Sequence, residues 1–201
     1  MGLAAAPFGW AQTAETGIVV VDGDVLLASR NLAIPVEGVT AAMLRDTFFD
    51  SRDGHRHEAI DIAAPRGAKV FAVDDGRLVK LFTSVPGGLT VYQFDPQGRL
   101  AYYYAHLDRY ADGLREGMSL HRCDLLGYVG VSGNAPPGSP HLHFAVFRLE
   151  AERQWWKGMP VNPYLALTRS ASKAANAPAA ASLTGRPSAQ MPRLEGNKAC
   201  G

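Results

Sequence analysis

Short runs of alternating apolar and polar residues, separated by turns rich in Asp, Gly and Pro, fill the middle of the chain. Alternation with a period of two places successive side chains on opposite faces, which is typical of β-strands with one buried face. The pattern predicts strands at 60–62, 69–73, 77–82, 89–94, 100–106, 125–131 and 141–146. Regularly spaced short strands with such turns indicate an all-β, antiparallel domain rather than strands that alternate with helices.

The pattern changes at both ends of the chain. Residues 1–15 contain a short apolar patch that we interpret as a leader or signal remnant, although a basic segment does not precede it. Residues 16–45 are predicted to form an N-terminal β extension, beginning with a hairpin over 18–28 around an Asp-Gly turn. The main domain is predicted over 46–167. Residues 168–201 are rich in Ala, Ser and Pro without periodicity, so they are predicted to be a flexible tail.

Composition narrows the class of protein. The 201 residues are 47% hydrophobic and 19% charged, as in an ordinary soluble globular protein. The net charge is +1 and the basic residues are scattered, so we expect no nucleic acid partner. No apolar run approaches the 18 or so residues of a membrane span, so we expect no integral membrane span. Cys123 and Cys200 are far apart in the sequence, so we do not expect a stabilising disulfide between them.

Two histidines in the last predicted strand are the first candidates for chemistry. His141 and His143 stand two residues apart, so they share one strand face while Leu142 and Phe144 share the other. Two histidines roughly 7 Å apart cannot easily both hold one small metal ion at about 2.0 Å. We therefore expect one to be a metal ligand and the other to stand beside the metal. Two solvated histidines would give the same pattern.

A histidine and an aspartate near the first core strand form a second candidate pair. Ile60 and Ile62 alternate with Asp61, so Asp61 faces away from any core that the isoleucines enter. His57 and Asp61 offer one nitrogen and one oxygen donor, a mixture that suits Zn²⁺. A straight strand would separate them by about 13 Å, so a bend at Glu58-Ala59 is required. A surface histidine followed by a loop aspartate is the alternative for this motif alone.

A further histidine, His106, ends the predicted strand 100–106. Alternation places it on the same face as Tyr102 and Tyr104. Taken alone, it is more typical of a partly exposed residue than of a functional one. His55 and His121 are expected to be exposed and outside any site.

Together these motifs resemble those of the lysostaphin-like (LytM-type) zinc metallopeptidases, a family of peptidoglycan endopeptidases. The resemblance covers about 46–165. It rests on His-x-x-x-Asp at 57–61, Ala-Pro-Arg-Gly at 64–67, Tyr-Ala-His-Leu at 104–107 and His-Leu-His-Phe at 141–144, in this order. The fold it implies is a small antiparallel β-sheet groove of the lysostaphin-like, duplicated hybrid motif type.

The resemblance also implies roles for these residues. His57, Asp61 and His143 would be the zinc ligands, and His106 and His141 would be catalytic residues beside an open coordination position. The implied reaction is hydrolysis of peptide bonds in peptidoglycan stem or cross-link peptides during cell-wall remodelling, with Zn²⁺ as the cofactor. The expected location is periplasmic or secreted, and the expected partners are peptidoglycan peptides and a regulatory envelope protein.

The chain departs from the family pattern at three positions, none of which is a ligand or a catalytic histidine. The family commonly has Gly at the positions of Ala59 and Cys123, and often Glu at that of Ala145. Two other functions stay open. One is a non-catalytic LytM-type module that binds and activates a wall amidase. The other is a carrier domain of a related hybrid-motif fold, such as a sugar phosphotransferase component with a phosphorylated histidine, which would give Asp61 no role.

Overall fold

A computed structural model describes residues 23–52, 54–175 and 200, with side chains of the last helix described as far as residue 169. The helices in this part are α1 (Gly23–Ala28) and α2 (Tyr164–Ala175), with a 3₁₀ turn at Ala41–Met43. The strands are β1 (Ser51–Arg52), β2 (His55–Arg56), β3 (Ile60–Ala63), β4 (Lys69–Phe71), β5 (Gly76–Ser84), β6 (Gly88–Phe94), β7 (Leu100–Tyr110), β8 (Ser119–Leu120), β9 (Leu125–Val129), β10 (His141–Leu149) and β11 (Gly158–Val161). The predicted core strands are therefore present.

All pairings between the described strands are antiparallel. Nine of these strands form one sheet, whose main path runs β11-β10-β7-β6-β5-β8. β3 pairs with β10 beside this path, and β9 pairs with both β4 and β7. β1 and β2 form a separate two-stranded ribbon that leads into β3. The long strands β7 and β10 are neighbours at the centre, so residues placed on either can reach one common site.

One face of the sheet carries the hydrophobic core. Ile60 and Phe144 are paired across β3 and β10, and both are fully buried. Tyr102 and Tyr104 on β7 point into the same core, where their hydroxyls donate hydrogen bonds to Asp74 (2.8 Å) and Gln93 (2.7 Å). Because side chains alternate along a strand, the residues between these positions occupy the opposite face of the sheet. That opposite face is the one available for a site.

The N-terminal extension differs from its prediction in one segment. Val25–Ala28, predicted to be the second strand of a hairpin, lies in helix α1, because Gly23, Leu26 and Leu27 pack inward at the helical spacing i, i+3, i+4 while Val25 stays exposed. The first strand of that hairpin lies outside the described residues. Further along, the segment from Ala33 to Val36 runs beside β4: the Ala33 N–H donates to the Val73 carbonyl, and a bridge joins Val36 to Val70.

Helix α2 closes the fold after β11. Leu167 is fully buried and Ala166 nearly so, and the helix contacts the 3₁₀ turn and α1. The helix runs eight residues into the range predicted as a tail, from 168 to 175. The rest of that range, except Cys200, and the predicted leader at 1–15 lie outside the described residues. Within the described part, no helix is long and apolar enough to cross a membrane.

Candidate metal centre and active site

Strand pairing brings Asp61 and His143 together. β3 and β10 are antiparallel neighbours, and Asp61 lies directly opposite His143 in their register. Ile60 and Ile62, on either side of Asp61, are buried in the core, so Asp61 and His143 share the opposite face. Nδ1 of His143 lies 3.2 Å from Oδ1 of Asp61. The alternation of Ile60 and Ile62 with Asp61 predicted strand β3. This strand places the Asp61 carboxylate at the site.

His57 reaches the same point through a bend between β2 and β3. Glu58 has a φ of 55°, in the left-handed region, and this reverses the chain immediately after His57. Two backbone hydrogen bonds fix the bend, from the His57 N–H to the Asp50 carbonyl and from the Glu58 N–H to the Phe48 carbonyl, each 2.9 Å. The bend required at Glu58-Ala59 is present and is made at Glu58. Ala59 is fully buried and has no positive φ.

Three donor atoms converge as a nearly equilateral triangle. Nε2 of His57 lies 3.1 Å from Nδ1 of His143 and 3.1 Å from Oδ1 of Asp61, and the third side is the 3.2 Å between Asp61 and His143. A tetrahedral Zn²⁺ with ligands at 2.0–2.1 Å would separate any two of them by about 3.3 Å. The three side chains therefore fit the spacing of three zinc ligands, which leaves a fourth position open. They form the group in the described chain that could hold a metal ion.

Neighbouring groups orient two of these donors. Nδ1 of His57 lies 3.0 Å from the Thr47 carbonyl and donates to it, which leaves the lone pair of Nε2 directed at the triangle. The Thr47 hydroxyl also accepts a hydrogen bond from the Asp61 N–H at 3.1 Å. Nη2 of Arg52 donates to Oδ2 of Asp61 at 2.8 Å. Because Arg52 holds Oδ2, the other carboxylate oxygen, Oδ1, faces the two imidazoles.

The protonation states of the cluster suit a cation. Burial acts to raise the pKa of Asp61, but hydrogen bonds and attraction from His143 and His57 outweigh it and hold that pKa well below its usual range. Burial lowers the pKa of His143, although its hydrogen bond to Asp61 opposes the change. An ionised carboxylate and a neutral imidazole are the forms that bind a divalent metal.

His106 departs from the alternation of its own strand. Val91 on β6 pairs with Tyr104 on β7, whereas Leu89 pairs with Leu107, so β7 carries one extra residue in this interval. His106 lies in this bulge with a φ of 61°. A bulge re-aims side chains, because the extra residue shifts the phase of the alternation.

The bulge turns the His106 ring toward the other histidines. Its centroid lies 4.9 Å from that of His141 and 5.6 Å from that of His143. Tyr102 and Tyr104 point the other way, into the core. The expectation that His106 shares a face with these tyrosines is therefore wrong, and the physical reason is the bulge.

Backbone carbonyls orient both histidines beside the triangle. Nδ1 of His106 donates to the Ser132 carbonyl and Nδ1 of His141 to the Ser139 carbonyl, each at 2.8 Å. Each ring thereby keeps its Nε2 free, and Nε2 of His141 lies 3.7 Å from Oδ1 of Asp61. Burial lowers the pKa of His106 to about 4, although its hydrogen bond to the Ser132 carbonyl opposes this. At neutral pH His106 is therefore an uncharged ring with a lone pair at Nε2.

Ser132 fixes the loop behind His106 through its hydroxyl. That hydroxyl donates to the Leu107 carbonyl at 2.7 Å and accepts from the Leu89 N–H at 3.0 Å. Gly88 lies against it with a φ of 62°, and a Cβ there would collide with Ser132. The glycine is required both by its conformation and by this close approach.

Aromatic side chains continue the open face of the sheet away from the triangle. The Tyr103 ring lies 6.0 Å from His143, and Tyr92 lies 4.6 Å from Tyr103. Trp155, from the loop after β10, packs 4.9 Å from Tyr92, and Trp156 beyond it is 63% exposed. These rings form an aromatic surface that borders the site on β7 and β6.

The structure thus brings together all five residues singled out in the sequence, His57, Asp61, His106, His141 and His143. His55 and His121 are exposed, as expected, and hydrogen bond or pair locally with Arg56 and Asp124. Sequence reasoning missed four residues that orient the site: Thr47, Arg52, Ser132 and Ser139. Thr47 and Ser132 act through both their backbone carbonyls and their hydroxyls, and Ser139 through its carbonyl, and none of these contacts leaves a signal in the sequence. Arg52 does leave a pattern in the sequence, because it is a lone arginine shortly before an aspartate. That pattern is too common to indicate a functional role.

Comparisons with known proteins agree with this geometry. The family model described as Peptidase family M23 matches residues 55–163, which is more than half of the chain. The chain is 29% identical over 141 residues to the L-Ala--D-Glu endopeptidase of Bacillus subtilis, an alignment that covers 66% of this chain and 42% of that protein. It therefore spans less than half the length of this curated relative.

Solved structures match over the same part of the chain. A LytM protein from Ruminococcus gnavus, assigned as a glycyl-glycine endopeptidase, aligns with a TM-score of 0.54 and 32% identity, covering 65% of this chain and 54% of that one. Csd3 of Helicobacter pylori aligns with a TM-score of 0.52 and 26% identity, covering 68% and 33%. The expected all-β fold of the lysostaphin-like type is confirmed. The chain belongs to peptidase family M23 and is related to the LytM-type peptidases.

Proposed function

We propose that this peptidase is a zinc-dependent endopeptidase that hydrolyses peptide bonds in the stem or cross-link peptides of peptidoglycan. The observation that carries the proposal is the triangle of His57, Asp61 and His143 donor atoms, 3.1, 3.1 and 3.2 Å apart, with two further histidines beside it. A triangle of this size suits a small divalent cation, and its nitrogen and oxygen donors suit zinc.

The ligands and the chemistry of the metal follow from the donor set. Zn²⁺ held by Nε2 of His57, Oδ1 of Asp61 and Nδ1 of His143 would lower the pKa of the attacking water and polarise the scissile carbonyl. Thr47 would keep the His57 lone pair on the cation, and Arg52 would keep one oxygen of Asp61 available to it.

His106 and His141 would move the protons of the reaction. Each presents a free Nε2, because its Nδ1–H donates to a backbone carbonyl. One ring accepts a proton from the attacking water at Nε2 and, once charged, stabilises the developing oxyanion or passes the proton to the leaving amine. Their rings are 4.9 Å apart, so both can reach one scissile bond. In this arrangement Asp61 has a role as a metal ligand. The alternative of a carrier domain with a phosphorylated histidine gives Asp61 no role.

The family membership and the open sheet face support the proposed substrate class. The Bacillus relative is an L-Ala--D-Glu endopeptidase, and a bond of that kind occurs in peptide stems. In this chain the face beside the triangle is bordered by Tyr103 and Tyr92 on neighbouring strands, so an extended peptide could lie along it. On this substrate we also propose that the enzyme acts in the cell envelope, as a periplasmic or secreted protein, and that a regulatory envelope protein controls access to the site.

Digestion of purified peptidoglycan tests this function. The metal content of the purified protein is measured first, and we expect about one zinc per chain. The protein is then incubated with sacculi of several cross-link chemistries, and the new amino termini are identified by mass spectrometry. We expect a single type of amino terminus, which disappears with a chelator and returns on addition of Zn²⁺.

The matched control is His57→Ala, which should bind no zinc and release nothing. A wild-type protein that holds zinc yet releases no peptide from any sacculus, even with candidate envelope partners added, would contradict the peptidase proposal. In that case stimulation of a wall amidase by the same preparation would support the activating-module alternative.

A further inference from the structure

Two exposed arginines share one aspartate at the edge of the site. Nε and Nη2 of Arg66 contact Oδ1 of Asp108 at 2.7 and 2.5 Å, and Nη1 of Arg109 donates to Oδ2 of the same carboxylate at 3.4 Å. Cζ of Arg109 also lies 3.7 Å from the centre of the Tyr128 ring. We call Arg66, Asp108 and Arg109 the arginine cluster. These contacts hold both guanidiniums in position, although the two arginine side chains are 65% and 58% exposed.

The arginine cluster lies on the same face of the sheet as His106. Leu107, which separates His106 from Asp108, is fully buried in the core, so both of its neighbours point away from the core. Val129 is fully buried as well, so Tyr128, the ring beneath Arg109, also faces away from the core. Two residues along a strand span about 7 Å, so the Asp108 carboxylate lies close to the His106 ring.

The turn that carries Arg66 lies beside His141. Ala63, at the end of β3, is paired with His141, and Arg66 follows three residues later. On the other side of His141 a bridge joins it to Gly130. A Cβ on Gly130 would lie 2.4 Å from the backbone nitrogen of Asp108, so the two backbones are in close contact there. The arginine cluster therefore borders both histidines of the proposed proton transfer.

The arginine cluster has a surplus of positive charge. Two guanidiniums share one carboxylate, which leaves a net charge of +1. Other cations around the sheet are paired one to one: Lys80 on β5 with Glu116 at 2.9 Å, and Lys157 after β10 with Glu150 at 2.7 Å. Those pairs are neutral. A second anion would therefore complement the arginine cluster, whereas the neutral pairs offer no such surplus.

We propose that the arginine cluster binds a carboxylate of the substrate peptide, within about two residues of the scissile bond. This inference rests on the proposed peptidase function, and it adds a group that the substrate must carry. The stem peptides of peptidoglycan are acidic and bear free carboxylates along the stem and at its C-terminal end.

The geometry of the guanidiniums suits such a ligand. A guanidinium has five N–H donors in a planar fork, and the contacts with Asp108 use only some of those of Arg66 and Arg109. The remaining donors can form paired, charge-assisted hydrogen bonds with a second carboxylate. Asp108 would be a positioning residue, because it fixes both guanidiniums while neutralising only one of them.

Two synthetic stem peptides that differ only in their carboxylates test the proposal. One has its carboxylates free, and the other has the same sequence with those groups amidated. We expect the wild type to cleave the free acid with a KM about 3–20-fold lower than that of the amide, the range for charge-assisted bonds at exposed groups. This preference should weaken at high ionic strength, because salt screens exposed charges.

Variants of the two arginines locate the preference. Arg66→Ala and Arg109→Ala should each reduce the ratio of the two KM values, and the double variant should bring it to about one. Arg66→Lys should recover part of the ratio, because an ammonium keeps the charge but not the planar fork. Arg77→Ala is the matched control, an exposed arginine on β5 whose Nε donates to the Gly117 carbonyl, and it should keep the ratio of the wild type. Zinc content and melting temperature on the same preparations show that the fold is intact.

Binding measurements separate this proposal from that of the peptidase. His106→Ala, which should hold zinc but turn over slowly, is titrated with both peptides by calorimetry, and the free acid should bind about 3–20-fold more tightly. Equal affinities together with cleavage by the wild type would overturn the carboxylate site and leave the peptidase intact. A preference that persists without both arginines would overturn it as well. Selective binding of the acid that depends on the arginine cluster, with no cleavage by the wild type, would overturn the peptidase function alone.

Discussion

The two halves of the site are built in different ways. The ligand half (His57, Asp61 and His143) combines the regular pairing of β3 with β10, which sets Asp61 opposite His143, with the bend at Glu58 that brings in His57. The proton-transfer half (His106 and His141) depends on irregular backbone, namely a bulge with a positive φ at His106 and loop carbonyls that hold each Nδ1. Asp61 and His143 therefore follow from strand register, whereas His57 and His106 follow from local exceptions to it.

The difference teaches that metal binding and proton transfer should be separable. A one-residue slip of β3 against β10 would turn Asp61 into the core and destroy the donor set, so the ligand half is an all-or-none structure. The proton-transfer half contributes none of the three triangle atoms. Changes there should alter the rate of hydrolysis without altering the metal. The following expected outcomes sharpen this contrast, beginning with the largest.

Removal of a triangle side chain should abolish metal binding and hydrolysis together. His57→Ala, Asp61→Ala and His143→Ala each leave two protein donors, and we expect zinc to fall from about one per chain to near zero. Hydrolysis should fall by more than about 10⁴-fold. Metal analysis and peptide release are measured on the same preparations. His55→Ala is the matched control, since His55 is exposed two residues from His57 and should be unaffected.

Two results would change the division of the site into halves. Loss of zinc in His141→Ala combined with retention in His143→Ala would exchange the roles of the two strand histidines. Zinc retained in Asp61→Ala at wild-type affinity would show that the triangle is not the binding site.

Removal of a proton-transfer side chain should separate rate from metal content. His106→Ala and His141→Ala leave the three donor atoms in place, so zinc should remain near one per chain while kcat falls by about 10²–10⁴-fold. The readout is kcat on a purified cross-linked peptide together with metal analysis. His121→Ala, which alters an exposed histidine, provides the control. A variant that loses its zinc would place that histidine in the ligand half.

The same contrast explains what could be predicted from the sequence. The strands of the core and the outward direction of Asp61 and His143 follow from alternation, which holds wherever pairing is regular. The position of His106 does not follow from alternation, because the extra residue of the bulge leaves no mark in the hydrophobic pattern. The segment Val25–Ala28 is helical and not a strand for a related reason: a short apolar run suits either structure until its partners are known.

The resemblance to a family supplied what alternation could not. It selected His143 as ligand and placed His106 in the site, although neither choice follows from residue spacing alone. It could not supply the groups that orient the site in this chain, such as the Thr47 carbonyl and the Ser132 hydroxyl, since their contacts depend on where loops come to lie.

Arg52 offers a smaller perturbation of the ligand half. Its guanidinium donates to Oδ2 of Asp61 at 2.8 Å while remaining partly exposed. Arg52→Ala should weaken zinc affinity by about 10–100-fold, as expected for a group that orients a ligand. Arg52→Lys should recover part of that loss, because one donor can still reach the carboxylate. Competition with a zinc chelator measures the affinity, and Arg56→Ala is the control at an exposed neighbouring arginine.

The alternative for Arg52 makes a distinct prediction. If it bound a carboxylate of the substrate instead, Arg52→Ala would keep the zinc affinity of the wild type and raise KM. Affinity and KM measured on one preparation therefore decide between orientation of a ligand and recognition of a substrate.

The smallest expected effects concern the bend that joins the ligands. Glu58 has a φ of 55° and Ala59 has no positive φ, so a glycine should help at the first position and harm at the second. Ala59→Gly should lower the free energy of unfolding by about 0.4–1 kcal/mol, because it adds freedom to the unfolded chain without relieving any strain. Glu58→Gly should leave it unchanged or raise it by up to about 1 kcal/mol, since it removes the cost of a left-handed side chain. Denaturant unfolding of the metal-free proteins measures both changes, and neither variant should alter zinc content. A large rise in turnover with Ala59→Gly would mean that the alanine distorts the ligand half, and that the bend is set by residue 59 rather than by Glu58.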